Sequence, residues 1–272
     1  MQAWMHKPAP PLNQYIAYFF LYKDAFSAHT RERFLPDGHI ELIIDLRNET
    51  NAWCQNDDYA AMQIVRNGWI SGVHRRYITI EAAQGASMLV VRFLPGRIAP
   101  FLGMPASEIT GQVIPLDRIW GAEFERLRYS ILEHPEPAQR FALLETFFLK
   151  KIQNAPAPKP VIDFALERMN RLNSGAGISQ IVEKTGYTHK HFVSLFHKHI
   201  GVSPKVYSRI LKFQQAVRQL ENARQPDWSQ LAFACGYYDQ AHFINEFKAF
   251  SGFSPSFYLE KRGAHLNYLE VD

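Results

Sequence analysis

The stretch Leu231-Ala-Phe-Ala-Cys-Gly-Tyr-Tyr-Asp-Gln-Ala-His-Phe-Ile-Asn-Glu-Phe247 sets an apolar helical turn, a glycine and an aromatic-striped second helix in succession. It has a near copy upstream. Ile178-Ser-Gln-Ile-Val-Glu-Lys-Thr-Gly186 aligns with Trp228-Ser-Gln-Leu-Ala-Phe-Ala-Cys-Gly236 at an offset of 50. Phe192, Phe196, Gly201, Ser203, Pro204 and Tyr207 then align with Phe243, Phe247, Gly252, Ser254, Pro255 and Tyr258 at an offset of 51. The shared pattern, F-x3-F-x4-G-x-S-P-x2-Y, is an internal repeat of one small helical unit.

Elementary helix chemistry gives the unit its shape. A glycine closes the first helix because it tolerates the left-handed conformation. Thr188 and Asp239 are suited to N-cap the second helices. Ser203-Pro204 and Ser254-Pro255 each supply an N-cap followed by proline at the first helical position. The result is a helix, a tight turn and a second helix. At about 100° per residue, Phe192, Leu195, Phe196 and His199 share one face, and Lys190, Val193, Ser194 and His197 the opposite one. In the second copy Phe243, Phe247 and Phe250 face inward, while Ala241, Ile244, Asn245 and Lys248 face outward. The outer faces are free to enter a major groove, which at roughly 12 Å wide admits one helix.

Between the units runs Pro204–Asn222, with Val206, Tyr207, Ile210, Leu211, Val217 and Leu220 as an apolar stripe. As a helix it spans roughly 28 Å, against roughly 34 Å for one turn of DNA. It is therefore expected to set two reading helices into successive groove segments on one face of a duplex. Lys205, Arg209, Lys212 and Arg218 lie where phosphates are expected.

On these residues, together with Gly186-Tyr187, Asp239-Gln-Ala-His-Phe243 and Phe247-Lys248, residues 161–262 resemble the double helix-turn-helix DNA-binding domain of the AraC/XylS family of bacterial transcription regulators. The resemblance implies base contacts from His189, Lys190, Val193, Ser194, Gln240, Ala241, His242 and Asn245. It implies phosphate contacts from His197, Lys205, Arg209, Lys212 and Lys248. It implies double-stranded promoter DNA as partner, RNA polymerase as a further one, and a cytoplasmic, nucleoid-associated location. Arginine, the usual reader of guanine, is absent from both outer faces. Val193, Ala241 and Ile244 offer only apolar contact to a thymine methyl, and Asn245 suits adenine. Weight is expected to fall on phosphate contacts and DNA deformability. Phe34-Leu-Pro-Asp-Gly38, Trp69-Ile-Ser-Gly72, Arg92-Phe-Leu-Pro-Gly96 and Leu102-Gly-Met-Pro105 resemble an uncharacterised β-rich domain that precedes this DNA-binding domain in some members. That implies sensing of an unknown small-molecule effector, or homodimerisation.

Working outward, Asn154-Ala-Pro-Ala-Pro-Lys-Pro160 is a linker, because each proline biases the residue before it away from helix. The expected organisation is an N-terminal domain over 1–153, a linker over 154–160, the reading domain over 161–262 and a tail over 263–272. The expected fold is α+β: a β-rich, barrel-like first domain with trailing helices, then an all-α one. Tyr15–Tyr22, His39–Leu46, Trp69–Val73, Arg76–Glu81 and Ala86–Leu94 read as strands or apolar runs. Ile98–Leu102, Ala122–Glu133 and Pro137–Ile152 read as helices, and Val161–Leu172 carries Ile162, Ala165, Leu166, Met169 and Leu172 on one stripe. No strand pattern follows residue 160.

The 272 residues are 47% hydrophobic and 21% charged, a globular balance. Residues 178–262 carry 11 Lys and Arg against 6 Asp and Glu, so the positive excess sits in the repeat and suits a polyanion. No run of 18 apolar residues argues for a membrane span, and Met1–Pro11, with three prolines, does not read as a secretion signal. Two cysteines form no disulfide framework and hold no structural zinc alone. No G-x-S-x-G, P-loop, H-E-x-x-H or G-x-G-x-x-G is present, so neither an enzyme nor a cofactor is expected. His189, His191, His197 and His199 do not converge on one ligand point, and their protonation at about pH 6.5 adds positive charge beside DNA. His29, His39 and His74 with Glu41 lack tight ligand spacing. Cys235 reads as a buried thiol, and Arg75-Arg76 as a solvated face. Cys54 lies in a polar stretch, Asn51–Asp58, which leaves open an N-terminal catalytic or alkyl-acceptor sensor with this thiol as nucleophile.

Overall fold

The computed structural model describes residues 1–26, 29–82, 84–153, 155–171, 177–221, 223–263 and 267–271. Asn154, Leu172, Asn222 and Asp272, assigned above to the linker, the stripe, the spacer helix and the tail, lie outside the described residues. The strands are β1 (Gln2–His6), β2 (Ile16–Ala25), β3 (Arg31–Phe34), β4 (Glu41–Asp45), β5 (Thr50–Gln55), β6 (Gln63–Arg66), β7 (Gly68–Ser71), β8 (Ile78–Glu81), β9 (Ala86–Phe93), β10 (Val113–Pro115) and β11 (Tyr268–Glu270). The helices are α1 (Ala99–Leu102), α2 (Asp117–Trp120), α3 (Ala122–Glu133), α4 (Pro137–Ile152), α5 (Pro160–Arg171), α6 (Ile178–Glu183), α7 (His189–Ile200), α8 (Pro204–Glu221), α9 (Trp228–Ala234), α10 (Gln240–Ser251) and α11 (Pro255–Lys261).

The strands form two antiparallel sheets, in the orders β1-β2-β9-β4-β7-β10 and β11-β3-β8-β5-β6. They do not close into one barrel. The chain passes from one sheet to the other at Asn67, whose φ of 61° turns β6 into β7. Alternation explains the first sheet. Ile16, Phe19 and Leu21 on β2 and Leu89, Val91 and Phe93 on β9 are buried. The Phe148 ring of α4 meets Phe19 at 6.1 Å and Phe93 at 5.8 Å. Helices α3 and α4 thus cover one face of that sheet, with the boundaries their apolar periodicity predicts.

Residues 161–262 are helical as expected, and the expectation of no strand after residue 160 is corrected in the tail. Tyr268–Glu270 returns to the second sheet and pairs antiparallel with β3, Leu269 opposite Arg33. Leu269 is 1% exposed. A three-residue strand carries too little pattern to be seen in sequence. Cys54, expected in a polar stretch, is 1% exposed on β5, and burial raises its thiol pKa. Cys235 is buried as expected, its thiol pushed up to about 11 by desolvation.

Two expected outcomes follow from this packing. A Cβ at Gly72 would overlap the Ile109 carbonyl oxygen, which is backbone and cannot swing aside. Gly72→Ala should lower stability by about 3 kcal/mol in a urea titration. His74 is buried against Ser71, whose Oγ lies 2.8 Å from Nε2, and desolvation drops its pKa to about 4. A depressed histidine is neutral in the fold while the unfolded chain protonates, so stability should fall from about pH 6.5 to about pH 4, with a limiting slope of about 1.4 kcal/mol per pH unit. His74→Gln should flatten that slope in urea midpoints measured across the window.

Candidate nucleic-acid interface

Each unit stands on a pair of phenylalanines. Phe192, Phe196, Phe243 and Phe247 are all 0% exposed. The Phe196 ring meets Tyr207 at 5.7 Å and Phe247 meets Tyr258 at 5.3 Å, the same pair in both copies of the repeat. Thr188 caps α7 by accepting from the His191 N–H, and Asp239 caps α10 by accepting from the His242 N–H at 2.7 Å. Helix α8 lies between the units with Tyr207, Ile210, Phe213, Ala216, Val217 and Leu220 buried. The stripe is wider than its periodicity suggests because both units pack on it.

With the inner faces spent on the core, the outer ones reach solvent. His189, Lys190, Ser194, Gln240, Ala241, His242 and Asn245 are exposed. Val193 and Ile244 are half-buried against the core. Lys205, Arg218 and Lys248 are exposed and His197 is half-buried.

Two expected phosphate ligands are engaged elsewhere. Arg209 grips Glu246 of α10 with Nε at 2.6 Å and Nη2 at 2.8 Å, and its guanidinium lies 5.3 Å from the Phe250 ring. Lys212 donates to the Gly236 carbonyl at 2.5 Å, closing the turn between α9 and α10. Both tie the spacer helix to the second unit. The register between α8 and α10 is a tertiary property, so the sequence alone does not separate a cation facing Glu246 from one facing solvent.

Other features escaped the sequence reading. Ser229 Oγ donates to Gln240 Oε1 at 2.9 Å, holding the amide of an expected base-reading side chain. His191 stacks on Tyr187 at 4.9 Å and 3°, and His242 meets Tyr237 edge-on at 5.5 Å. The repeat alignment of Tyr187 with Tyr237 and His191 with His242 was the available signal. Phe233 and Tyr238 are 82% and 90% exposed beside the second reading helix.

Helices α7 and α10 both meet the β-rich unit. Their C-terminal ends are seated on it. The Gly201 carbonyl after α7 accepts from Thr110 Oγ1 at 2.5 Å. The Phe250 carbonyl of α10 accepts from the Tyr77 N–H at 3.0 Å, and that of Ser251 from Arg33 Nη1 at 3.3 Å. Spacer α8 joins the seat through Gln214 Nε2, 2.8 Å from the Pro36 carbonyl. The N-terminal turns, where helix-turn-helix units meet base edges, are exposed in both.

Residues 181–261 match a family described as a helix-turn-helix domain, and residues 5–115 match a domain of unknown function. An uncharacterized HTH-type transcriptional regulator of Haemophilus influenzae is 32% identical over 81 residues, 30% of this chain and 27% of that protein. The chain thus spans about a quarter of that curated relative. ToxT from Vibrio cholerae is similar in shape, with a TM-score of 0.47, 11% identity, and 89% and 97% of the two chains covered. The DNA-binding domain of AdpA, solved in complex with a target DNA, has a TM-score of 0.35 and 19% identity over 38% of this chain and 91% of that one.

Phe247→Ala should lower stability by about 3–5 kcal/mol in denaturant titration, because the cavity opens in the core that α10 shares with α8 and α11.

Proposed function

We propose, from a C-terminal unit that is a helix-turn-helix domain of the AraC/XylS type, that the chain is a cytoplasmic transcription regulator reading a specific duplex through α7 and α10. The observation that supports the reading is that both helices are built alike: each buries its phenylalanines, seats its carbonyl end on the β-rich unit and exposes its first turns. His189, Lys190, Val193, Ser194, Gln240, Ala241, His242 and Asn245 are assigned to bases. Lys205, Lys248 and His197 are assigned to phosphates; Arg209 and Lys212 have partners inside the fold. RNA polymerase is the partner proposed downstream of DNA. The β-rich unit is proposed to respond to a small molecule or to dimerise, and its seat under both reading helices is the route by which either event reaches DNA. The thiol-acceptor alternative draws no support from the buried Cys54.

The test is a comparison of a duplex selected from a random pool with an unrelated one. A regulator should prefer the first by about 10³ or more; equal affinity would leave only a nonspecific binder. On the selected duplex Asn245→Ala should cost about 1–3 kcal/mol and relax preference at one base pair. Lys205→Ala should weaken all duplexes alike and reduce the salt dependence by about one phosphate.

A further inference from the structure

Arg33 is buried beneath the second reading helix. Besides the Ser251 carbonyl, its guanidinium lies 3.9 Å from the Phe253 ring and 4.3 Å from the Tyr77 ring, and it pairs with Asp57. Its strand, β3, has β8 on one side and β11 on the other. Without β11, β3 would be a sheet edge. With β11 in place, Leu269 lies opposite Arg33, the Leu35 N–H donates to the Asn267 carbonyl at 2.9 Å, and the Val271 N–H donates to the Arg31 carbonyl at 3.1 Å. Asn267 also accepts from Gln214 Nε2 of α8 at 2.9 Å. The end of the chain therefore clamps the strand that carries Arg33 and touches the spacer between the units.

We propose that β11 and Arg33 are positioning elements for DNA reading: the C-terminal strand holds β3, β3 holds Arg33, and Arg33 fixes the tilt of α10 relative to α7. The inference rests on the proposed reading of duplex DNA by both helices. Leverage makes the seat consequential. A twelve-residue helix is about 18 Å long, so a tilt of about 10° about its C-terminal end moves its first turn about 3 Å. That displacement equals about one base-pair rise along a duplex. Thr110 holds α7 from the same unit, so the two seats set the distance between the reading turns. The base-facing positions other than Val193 stay exposed with the clamp closed, so the clamp aligns the readers and does not cover them.

The experiment uses the full chain and three duplexes: one selected from a random pool, the same duplex with one base pair inserted between the two protected segments, and a scrambled one. The insertion rotates one segment by about 35° against the other. The wild-type chain should bind the inserted duplex at least 10-fold more weakly than the selected one. Leu269→Glu, which expels β11 from the core, should reduce that ratio at least fivefold while changing affinity for the scrambled duplex less than twofold. Arg33→Lys, which keeps the charge and loses the fork, should reduce it by a smaller factor, and thermal melts should show both variants folded. Variants that keep the wild-type ratio, or that lose affinity equally on all three duplexes, would overturn the positioning role. So would a wild-type chain that tolerates the insertion. A wild-type chain that fails to separate the selected from the scrambled duplex would instead sink the proposed function itself.

Discussion

Short helices cannot stand alone, and the second half of this protein is built from them. A helix of twelve residues is marginal in water whatever its sequence, because nucleation costs several fixed residues for one hydrogen bond. Helices α7 and α10 exist because each drives at least two phenylalanines into a core that α8 supplies from the middle. Tyr207 and Tyr258 close the two cores in the same way. Once the inner faces are committed, most outer side chains face solvent, though Gln240 is held by Ser229 and His242 packs edge-on against Tyr237. Val193 and Ile244 sit half in the core.

The ends of those helices bring the two halves together. A helix leaves its last carbonyls without intrahelical partners and carries a partial negative charge there. The β-rich unit meets both ends with donors: a threonine hydroxyl for α7, a backbone N–H and a guanidinium for α10. The guanidinium suits the second end because its planar fork pairs with Asp57 while its faces lie along Phe253 and Tyr77. The helical unit is thus bound to the β-rich unit by the polar chemistry its own helices leave unfinished, and by a strand that follows it.

Legibility followed the size of the pattern. Helices α3 and α4, with three and four turns of periodic apolar residues, were readable to the residue. So were the caps Thr188 and Asp239, since an N-cap is a local interaction with a backbone three residues away. Strands β1, β3, β5, β6 and β10 were not legible, and β3 and β5 show why. Arg31-Glu-Arg-Phe34 places Arg33 inward, a residue type read as solvated, and Asn51-Ala-Trp-Cys54 reads as polar until Trp53 and Cys54 meet their neighbours. The β-rich first domain with trailing helices is as expected; that its strands lie in two sheets which do not close was not legible, because strand order is set by long-range pairing, which alternation alone does not encode.

By itself the sequence determined the repeat, the two inner faces and the exposure of most of the outer ones, because helical periodicity and capping are properties of neighbours a few residues apart. Only the tertiary structure decided that Arg209 pairs with Glu246 and Lys212 with the Gly236 carbonyl, that Arg33 donates to the end of α10, and that Tyr268–Glu270 forms a strand beside β3. Each of those depends on groups more than twenty residues apart being brought within hydrogen-bonding distance, which the packing of α8, α10 and β3 settles and no local pattern records.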